Sequence, residues 1–254
     1  MSADPWPEGV GRLILEEVDS TNSEAGRRAT ALAGPTWILA RRQTCGRGRR
    51  GRPWSDPAGN FAATLLMRPP GPPEQVALLS FAAALAVFDA CVAVIGRAEM
   101  FSLKWPNDVL LNGGKLAGIL LESAGNGAGV AHVCIGIGLN LVSSPEITEA
   151  APGTRPPANL LAATGARVTP EEFLDHLAPA CAGRVRQLVT YGFDPVRRAW
   201  LARAAHLGEP MTARTLRDAT TGTFETVDET GNLVLMTPTG RRAIAAADVF
   251  FGEG

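Results

Sequence analysis

The chain has 254 residues, of which 46% are hydrophobic and 19% are charged, and its formal net charge is −1. This is enough apolar material to bury a substantial core, in one large domain or in a domain with a small additional module. The near-neutral charge argues against bulk binding of nucleic acid, which depends on an excess of lysine and arginine over the protein surface.

The four cysteines and three histidines are scattered along the chain, and no two cysteines form a CxxC pair. So few cysteines in a chain of this length are not typical of a disulfide framework, and their spacing predicts no metal site. Residues 1–12 contain prolines and lack the apolar segment of a signal peptide. The sequence therefore predicts reduced thiols in a cytoplasmic protein.

An apolar stretch at residues 76–95 has the length of a possible membrane span. It carries Asp89, whose carboxylate would cost roughly 2.5–3.5 kcal/mol near the middle of a membrane-inserted helix. The stretch is also rich in alanine and follows a proline-rich loop. We therefore predict a helix buried against a sheet, and no association with a membrane.

The N-terminal third is predicted to alternate helix and strand. Asp19-Ser20-Thr21-Asn22 supplies capping side chains before a helix at residues 23–32. Strands are predicted at residues 36–40 and 61–67, and the glycine- and arginine-rich segment between them reads as a long loop.

The middle of the chain reads as a run of strands, at residues 101–105, 108–111, 115–122 and 130–141. Asn112-Gly113-Gly114 predicts a hairpin, because asparagine and glycine accept a positive φ. Three adjacent antiparallel strands are therefore expected.

The C-terminal part changes character at about residue 206. Before it, Thr169-Pro170-Glu171-Glu172 matches a capping box that opens a helix towards Tyr191, and a second helix is predicted at residues 194–200. After it come four short β-like runs separated by turns. We predict an α+β domain at residues 1–205 and a small β-barrel at residues 206–254.

The loop segment from Gly46 to Arg52 contains four arginines and three glycines. Glycines let the backbone approach a ligand closely, and guanidinium groups pair with carboxylate or phosphate. Considered alone, the segment could equally bind nucleic acid or be a solvated run of charge.

Two further segments carry candidate site residues. Lys115 opens an otherwise apolar strand. Strict alternation of side chains would place it on one face with Ala117 and Ile119. An ammonium group beside such apolar neighbours needs an anionic partner. It could also cap a hairpin in water, and Asp108 could be only a turn residue. The segment Gly136 to Asn140 could admit a ligand or pack against a helix.

Taken together, these segments resemble the biotin–protein ligase family in order, spacing and residue type, most closely over residues 13–142. The resemblance rests on five segments: Asp19 to Asn22, Gln43 with Gly46 to Trp54, Lys104 to Asp108, Lys115 to Leu120, and Gly136 to Asn140. Cys45 stands where the family more often has alanine or another small residue. The resemblance implies a catalytic domain like that of class II synthetases, with a mixed or antiparallel sheet and packed helices, followed by an SH3-like barrel.

The resemblance also implies the reaction. Members of the family condense biotin with ATP, for which Mg²⁺ is the expected ion, to give biotinyl-AMP. They then transfer biotin to a lysine of a biotin carboxyl carrier protein. Lys115, Arg49 and Asp108 would be catalytic, with Asp108 assisting the acceptor lysine as a hypothesis. Biotin would be bound by Ser20, Thr21, Asn22, Gln43, Gly46, Arg47, Gly48, Arg49 and Lys115. The nucleotide would be bound by Arg50, Arg52, Trp54, Lys104, Asn107, Gly138 and Asn140.

Several expectations about partners remain. Some relatives carry an N-terminal DNA-binding domain, and the early position of Glu16 to Asn22 leaves little chain for one, so we expect a ligase that does not bind DNA. A homodimer is possible. The competing enzymatic interpretation is a lipoate or octanoate ligase or transferase of related fold. The segment from Gly46 to Arg52, called the arginine loop below, and the segment from Lys104 to Asp108 disfavour it.

Overall fold

The computed structural model describes residues 4–55, 57–68, 73–126, 129–145, 156–215 and 218–251. A seven-stranded sheet has the order β1-β2-β3-β7-β6-β5-β4, and a five-stranded sheet has the order β11-β10-β9-β8-β12. The strands of the first sheet are β1 (Gly11–Leu15), β2 (Thr36–Ala40), β3 (Phe61–Met67), β4 (Phe101–Lys104), β5 (Asp108–Leu111), β6 (Gly114–Asn126) and β7 (Gly129–Leu139). Strands β1 and β2 are parallel and the other neighbours are antiparallel, which confirms the predicted mixed sheet.

In the described part of the chain, six α-helices accompany the first sheet. They are α1 (Thr21–Arg28), α2 (Pro73–Val76), α3 (Leu79–Ile95), α4 (Leu160–Thr164), α5 (Pro170–Tyr191) and α6 (Phe193–Leu201). Helix α5 begins with the predicted capping box: Glu172 N–H donates to Thr169 Oγ1, and Thr169 N–H donates to the Glu172 carboxylate. This pairing satisfies two backbone donors that the helix itself leaves free.

The predicted buried helix is α3, which packs against α5 and the sheet. Asp89, the charged residue that argued against a membrane span, accepts a hydrogen bond from Arg184 Nε on α5 at 2.7 Å. Of the helices in the described part of the chain, none is both long and apolar enough to span a membrane. A paired carboxylate at the edge of a helix–helix contact explains how an apolar helix accommodates Asp89.

Alternation along the central strands gives the two faces of the sheet different roles. The odd-numbered residues of β3, such as Ala63 and Leu65, belong to the main core with α3 and α5, as does Ile135 of β7. Leu66 and Cys134 instead pack against Ala25 of α1 on the opposite face. The face that carries α1 is therefore only partly covered by helix, and it is the face where a ligand can reach the sheet.

The second sheet is antiparallel and contains β8 (Pro210–Arg214), β9 (Ala219–Val227), β10 (Leu233–Thr237), β11 (Gly240–Ile244) and β12 (Asp248–Phe251). Its inward-facing side chains include Met211, Phe224 and Leu235, which are buried and continuous with the main core. The sequence predicted four of these strands and missed β12. The division of the chain at residue 206 stays a prediction.

The prediction for the start of α1 was wrong in one physical respect. Ser20 occupies the N-cap position, but its side chain does not cap the helix. Thr21 and Asn22, read from the sequence as capping residues, lie inside the first turn and are buried against the sheet. Both residues line the cavity described below.

Candidate functional site

A cavity of about 530 Å³ opens on the face of the sheet that carries α1. Its wall brings together residues from α1, the arginine loop, the β4–β5 turn, β6, β7 and β12. Most of the residues predicted from the sequence line it, namely Ser20, Thr21, Asn22, Gln43, Arg47, Gly48, Arg49, Arg52, Trp54, Asn107, Asp108, Lys115, Gly138 and Asn140. Segments that are far apart in the sequence, from Ser20 to Asp248, therefore meet at one site.

Lys115 reaches the cavity because of a β-bulge. Val109 pairs with Ala117 but Leu110 pairs with Lys115, so Leu116 is an extra residue in β6. The expected alternation, with Lys115 on the same face as Ala117 and Ile119, is therefore wrong. Ala117 and Ile119 face the core, whereas the Lys115 ammonium lies beside Gly118 on the cavity face.

The anionic partner of Lys115 in the unliganded protein is Asp108. The Lys115 Nζ–Asp108 Oδ1 distance is 2.8 Å, and the carboxylate is mostly buried whereas the lysine side chain is 41% exposed. Asp108 is therefore more than a turn residue. The exposed part of the ammonium remains accessible to an anionic ligand in the cavity.

Trp54 covers the floor of the cavity. Gly118 and Gly138 are directly opposite each other on β6 and β7, and the Trp54 ring rests on them. A Cβ atom at Gly138 would lie 2.4 Å from the ring, so only glycine fits there. The ring centroid is also 5.7 Å from the Lys115 ammonium. Close approach to an aromatic side chain therefore explains the glycine that the sequence marked at position 138.

A chain of hydrogen bonds links α1 to the strands beneath it. Thr21 N–H donates to Gln43 Oε1 at 2.9 Å, and Asn22 Nδ2 donates to Leu120 O and to the Glu122 carboxylate, the latter at 2.7 Å. The Thr64 hydroxyl on β3 lies within hydrogen-bond distance of both α1 side chains. These contacts hold the first turn of α1 against the sheet.

The same network reaches the arginine loop through Glu122. Arg47 pairs with Glu122 at 3.1 Å and donates to Ser23 Oγ at 2.7 Å. Arg47 and Asn22, both predicted to bind the ligand, therefore share one carboxylate.

Arg49 and its neighbours are held by the second sheet. Arg49 Nη1 lies 3.4 Å from Asn107 Oδ1 and from the carbonyl oxygen of Ala247. Burial lowers the pKa of the Arg49 guanidinium from its usual range, and the negative charge of Asp248 opposes this effect. Because the guanidinium is partly removed from water, an anionic ligand would stabilise it more than these two neutral oxygen atoms do.

Asp248 at the start of β12 is the shared partner of two further arginines. Arg50 Nη1 and Arg52 Nη2 lie 2.8 Å and 2.5 Å from Asp248 Oδ2. Arg50 also adopts a positive φ of 57°, in a short 3-10 turn at Arg49–Gly51. A residue of the second sheet therefore fixes the conformation of the arginine loop.

Three predicted residues lie next to the cavity instead of on its wall. Lys104 lies 4.8 Å from the Phe251 ring, and burial lowers the pKa of its ammonium. Arg50 points to Asp248, as described. At Gly46 a Cβ atom would lie 2.8 Å from the Trp54 carbonyl oxygen, so its smallness serves close packing within the loop.

Sequence reasoning missed Thr64, Glu122 and Asp248. Thr64 is the single polar residue of β3, and a buried hydroxyl in an apolar strand is the signal that could have indicated it. Glu122 ends the apolar run that begins at Leu116. Asp248 gave no signal, since its partners are almost 200 residues away in the sequence.

Replacing Asp248 by asparagine tests its hold on the loop. Asp248→Asn removes the charge that Arg50 and Arg52 share, so the unliganded loop should open more often. Trypsin cleavage after Arg50, followed by mass spectrometry, should become about fivefold faster, whereas the Arg52–Pro53 bond resists trypsin in any conformation. Global stability in urea should fall by less than about 1 kcal/mol, because these pairs are partly exposed.

The matched control is Asp194→Asn, since Asp194 also pairs with two arginines, Arg197 and Arg198, on α6. Equal cleavage rates at Arg50 in the two variants would show that Asp248 does not hold the loop.

Comparison with known proteins agrees with this geometry. The model of the biotin/lipoate A/B protein ligase family matches residues 14–140, and that of the biotin protein ligase C-terminal domain matches residues 206–252. A biotin–[acetyl-CoA-carboxylase] ligase from Paracoccus denitrificans is 56% identical over 239 residues, covering 94% of this chain and all of the relative. The bifunctional ligase/repressor BirA of Bacillus subtilis is 32% identical over 248 residues, covering 94% of this chain and 74% of the relative.

Solved structures show the same architecture. The biotin protein ligase of Aquifex aeolicus, in complex with biotin and ATP, superposes with a TM-score of 0.79. It is 24% identical, and the match covers 95% of this chain and 99% of that one. This likeness shows the fold. Because a family model matches half of the chain and a relative of equal extent is 56% identical, the chain belongs to the biotin protein ligase family.

Proposed function

We infer that the chain is an ATP-dependent ligase that forms biotinyl-5′-AMP and transfers biotin to a lysine of a biotin carboxyl carrier protein. The observation that carries this proposal is the convergence of Lys115 and the loop arginines on one cavity. Family membership and the names of the relatives support the same reaction. ATP would enter as its magnesium complex.

The first half-reaction needs the cations that the cavity supplies. The biotin carboxylate attacks the α-phosphorus of ATP, a P–O bond forms, and pyrophosphate leaves. Both reactants are anions, so positive charge must offset their repulsion before they can approach. Lys115 and Arg49 would contact the carboxylate and the phosphate; both line the cavity, as do Arg47 and Arg52.

The polar groups of Ser20, Thr21 and Gln43 on the cavity wall suit the ring system of biotin. Ser20, Thr21 and Gln43 place hydroxyl and amide groups on the wall. The ureido ring of biotin offers two N–H donors and one carbonyl acceptor, which these groups can pair with. The dithiolane of lipoate and the hydrocarbon end of octanoate offer no such partners and would leave buried polar groups unpaired, at a cost of roughly 1–3 kcal/mol each.

In the second half-reaction the acceptor lysine amine attacks the acyl carbon of biotinyl-AMP. The new C–N bond forms, AMP leaves with the electron pair of the broken C–O bond, and the amine loses a proton. An acyl-adenylate also reacts with water, so the arginine loop, with Gly48 and Gly51, would order over the intermediate and exclude solvent. Asp108 is our proposed group for assisting the proton loss.

The remaining site assignments are part of the proposal. Arg50, Lys104 and Gly46 would act from beside the cavity. The wall residues Asn107, Asn140, Trp54 and Gly138 would contact the nucleotide. We expect no binding to DNA, which the net charge of −1 supports. Dimerisation and a cytoplasmic location stay predictions.

The test is incubation with biotin, Mg-ATP and a purified carrier domain. We expect pyrophosphate exchange that depends on biotin, followed by biotin on one acceptor lysine, read by mass spectrometry. Exchange that depends on lipoate or octanoate, with no response to biotin, would assign the chain to the related enzymes instead.

Substitutions of Lys115 and Arg49 should separate the formation of biotinyl-AMP from its retention in the site. Lys115→Met should lower biotin-dependent pyrophosphate exchange by roughly 100-fold or more, because the charge that neutralises the reacting anions is gone. The Arg49→Ala variant should still form biotinyl-AMP but release it into solution. If a lysine-rich bystander protein is added to the reaction, the released biotinyl-AMP should biotinylate many of its lysines. The bystander is needed because this chain has only two lysines, at positions 104 and 115.

Arg242→Ala is the matched control for Arg49→Ala, since Arg242 lies on β11 in an exposed position. Bystander labelling at the same level in both arginine variants would rule out a retaining role for Arg49.

Asp108→Asn separates a role in transfer from a role in holding Lys115. If Asp108 assists the acceptor amine, transfer from preformed biotinyl-AMP should slow by roughly 100-fold, whereas adenylate formation should change much less. Transfer at the wild-type rate would refute this role. Slower adenylate formation with unchanged transfer would show that Asp108 only orients the Lys115 ammonium. Asp175→Asn, which alters a surface pair with Arg12, is the control.

A further inference from the structure

A buried hydroxyl group lies beneath the cavity and contacts two of its wall residues. Thr64 is in the middle of β3 and is 0% exposed, so no ligand can touch it. Its Oγ1 lies 2.8 Å from Thr21 Oγ1 and 2.7 Å from Asn22 Oδ1. One hydroxyl has one proton, so it can donate to only one of these two oxygens.

The surroundings of Asn22 decide which oxygen receives that proton. Its Nδ2 group faces two acceptors, the carbonyl oxygen of Leu120 and the Glu122 carboxylate, so both amide hydrogens are committed there. Asn22 Oδ1 must then face Thr64, and it has no proton to give. Thr64 therefore donates to Asn22 Oδ1. A side chain at Gly136 would lie 2.3 Å from this oxygen, so the glycine makes the room that the amide needs.

The direction of the next hydrogen bond follows. Because the Thr64 proton points to Asn22, the 2.8 Å contact with Thr21 is favourable only if the Thr21 hydroxyl donates to Thr64 Oγ1. Gln43 Oε1 also accepts from Thr21 N–H at 2.9 Å, and it lies farther from the Thr21 hydroxyl, at 3.2 Å, so Thr64 Oγ1 is the better acceptor for the hydroxyl proton. The protons thus run in one order, from Thr21 to Thr64 to Asn22.

This order determines what the cavity can offer a ligand. The proton of the Thr21 hydroxyl is used inside the protein, so Thr21 Oγ1 presents only lone pairs to the cavity that it lines. The two N–H groups of Asn22 are likewise used inside the protein. This end of the cavity can therefore accept a hydrogen bond at Thr21 but receives no donor from Asn22.

We propose that Thr64 is a positioning residue that fixes the hydrogen-bond polarity of the biotin pocket, making Thr21 Oγ1 an acceptor for a ureido N–H. This inference rests on the proposed function, since it describes how the site recognises the ureido ring of biotin. Asn22, predicted from the sequence to bind biotin, then acts by locking the order of protons instead of donating to the ligand. A ligand with an acceptor in place of that N–H would face the Thr21 lone pairs and bind poorly.

The decisive substitution is Thr64→Val, which keeps the shape of the side chain and removes its hydroxyl. Valine suits a buried strand, so the fold should persist. Thr21 could then rotate its proton towards Gln43 or the ligand, and Asn22 Oδ1 would lose its donor. In biotin-dependent pyrophosphate exchange we expect KM for biotin to rise about tenfold or more, with kcat and KM for ATP changed by less than about twofold. Direct calorimetric titration with biotin should show the same increase in Kd.

Two companion variants separate positioning from general damage to the sheet. Thr64→Ser restores the hydroxyl and should return KM for biotin to within about threefold of the wild-type value. Thr36→Val makes the same change at another buried threonine, on β2, which loses a hydrogen bond to Gly34 O and lies away from the cavity. Its biotin KM should match that of the wild type.

Three outcomes would overturn the inference: unchanged biotin affinity in Thr64→Val, a parallel loss in kcat and in both KM values, or failure of Thr64→Ser to recover. If Thr64→Val does not fold, Thr64→Ala in the same assays decides between the same outcomes. The proposed function fails separately, since a wild-type protein without biotin-dependent exchange would refute it before any variant is compared.

Discussion

The structure depends on bringing several positive charges close together before any anionic substrate is present. Like charges in one cavity repel, so a nearby carboxylate stabilises most of these cations in the unliganded protein. Lys115 is paired with Asp108, Arg47 with Glu122, and Arg52 with Asp248. If an anionic substrate binds as proposed, it would replace these carboxylates as the partner of the cations, which would stay ordered in both states.

The cavity itself exists because the sheet departs from regular geometry at particular residues. The bulge at Leu116 turns Lys115 towards the ligand while the rest of the strand keeps its apolar side chains in the core. Gly138 and Gly136 remove the Cβ atoms that would meet Trp54 and Asn22. A regular, fully substituted strand pair would fill this space with side chains. The same sheet thus supplies a packed core on one face and a recessed floor on the other.

Local signals in the sequence were enough to predict most elements, and the resemblance to a known family predicted most of the cavity wall. The capping box at Thr169 and the hairpin at Asn112 act over a few residues, and their physics is contained in the residues themselves. Strict alternation failed at Lys115, because a bulge depends on the pairing of two strands and not on the composition of one. Ser20 to Asn22 were read as caps, since the sequence does not show that the sheet competes for the same polar groups. The roles of Thr64 and Asp248 depend on contacts between distant segments, which no local pattern encodes.

The second sheet completes the site from outside the larger sheet. Asp248 holds two loop arginines, and the neighbouring carbonyl of Ala247 contacts Arg49, which has lost much of its hydration. The two sheets share one apolar core, so these contacts are made from a rigid support. A loop this rich in arginine and glycine would otherwise sample many conformations, and ordering it on ligand binding would cost conformational entropy. By fixing the backbone near Arg50 in advance, the second sheet would reduce that cost for the loop closure proposed above.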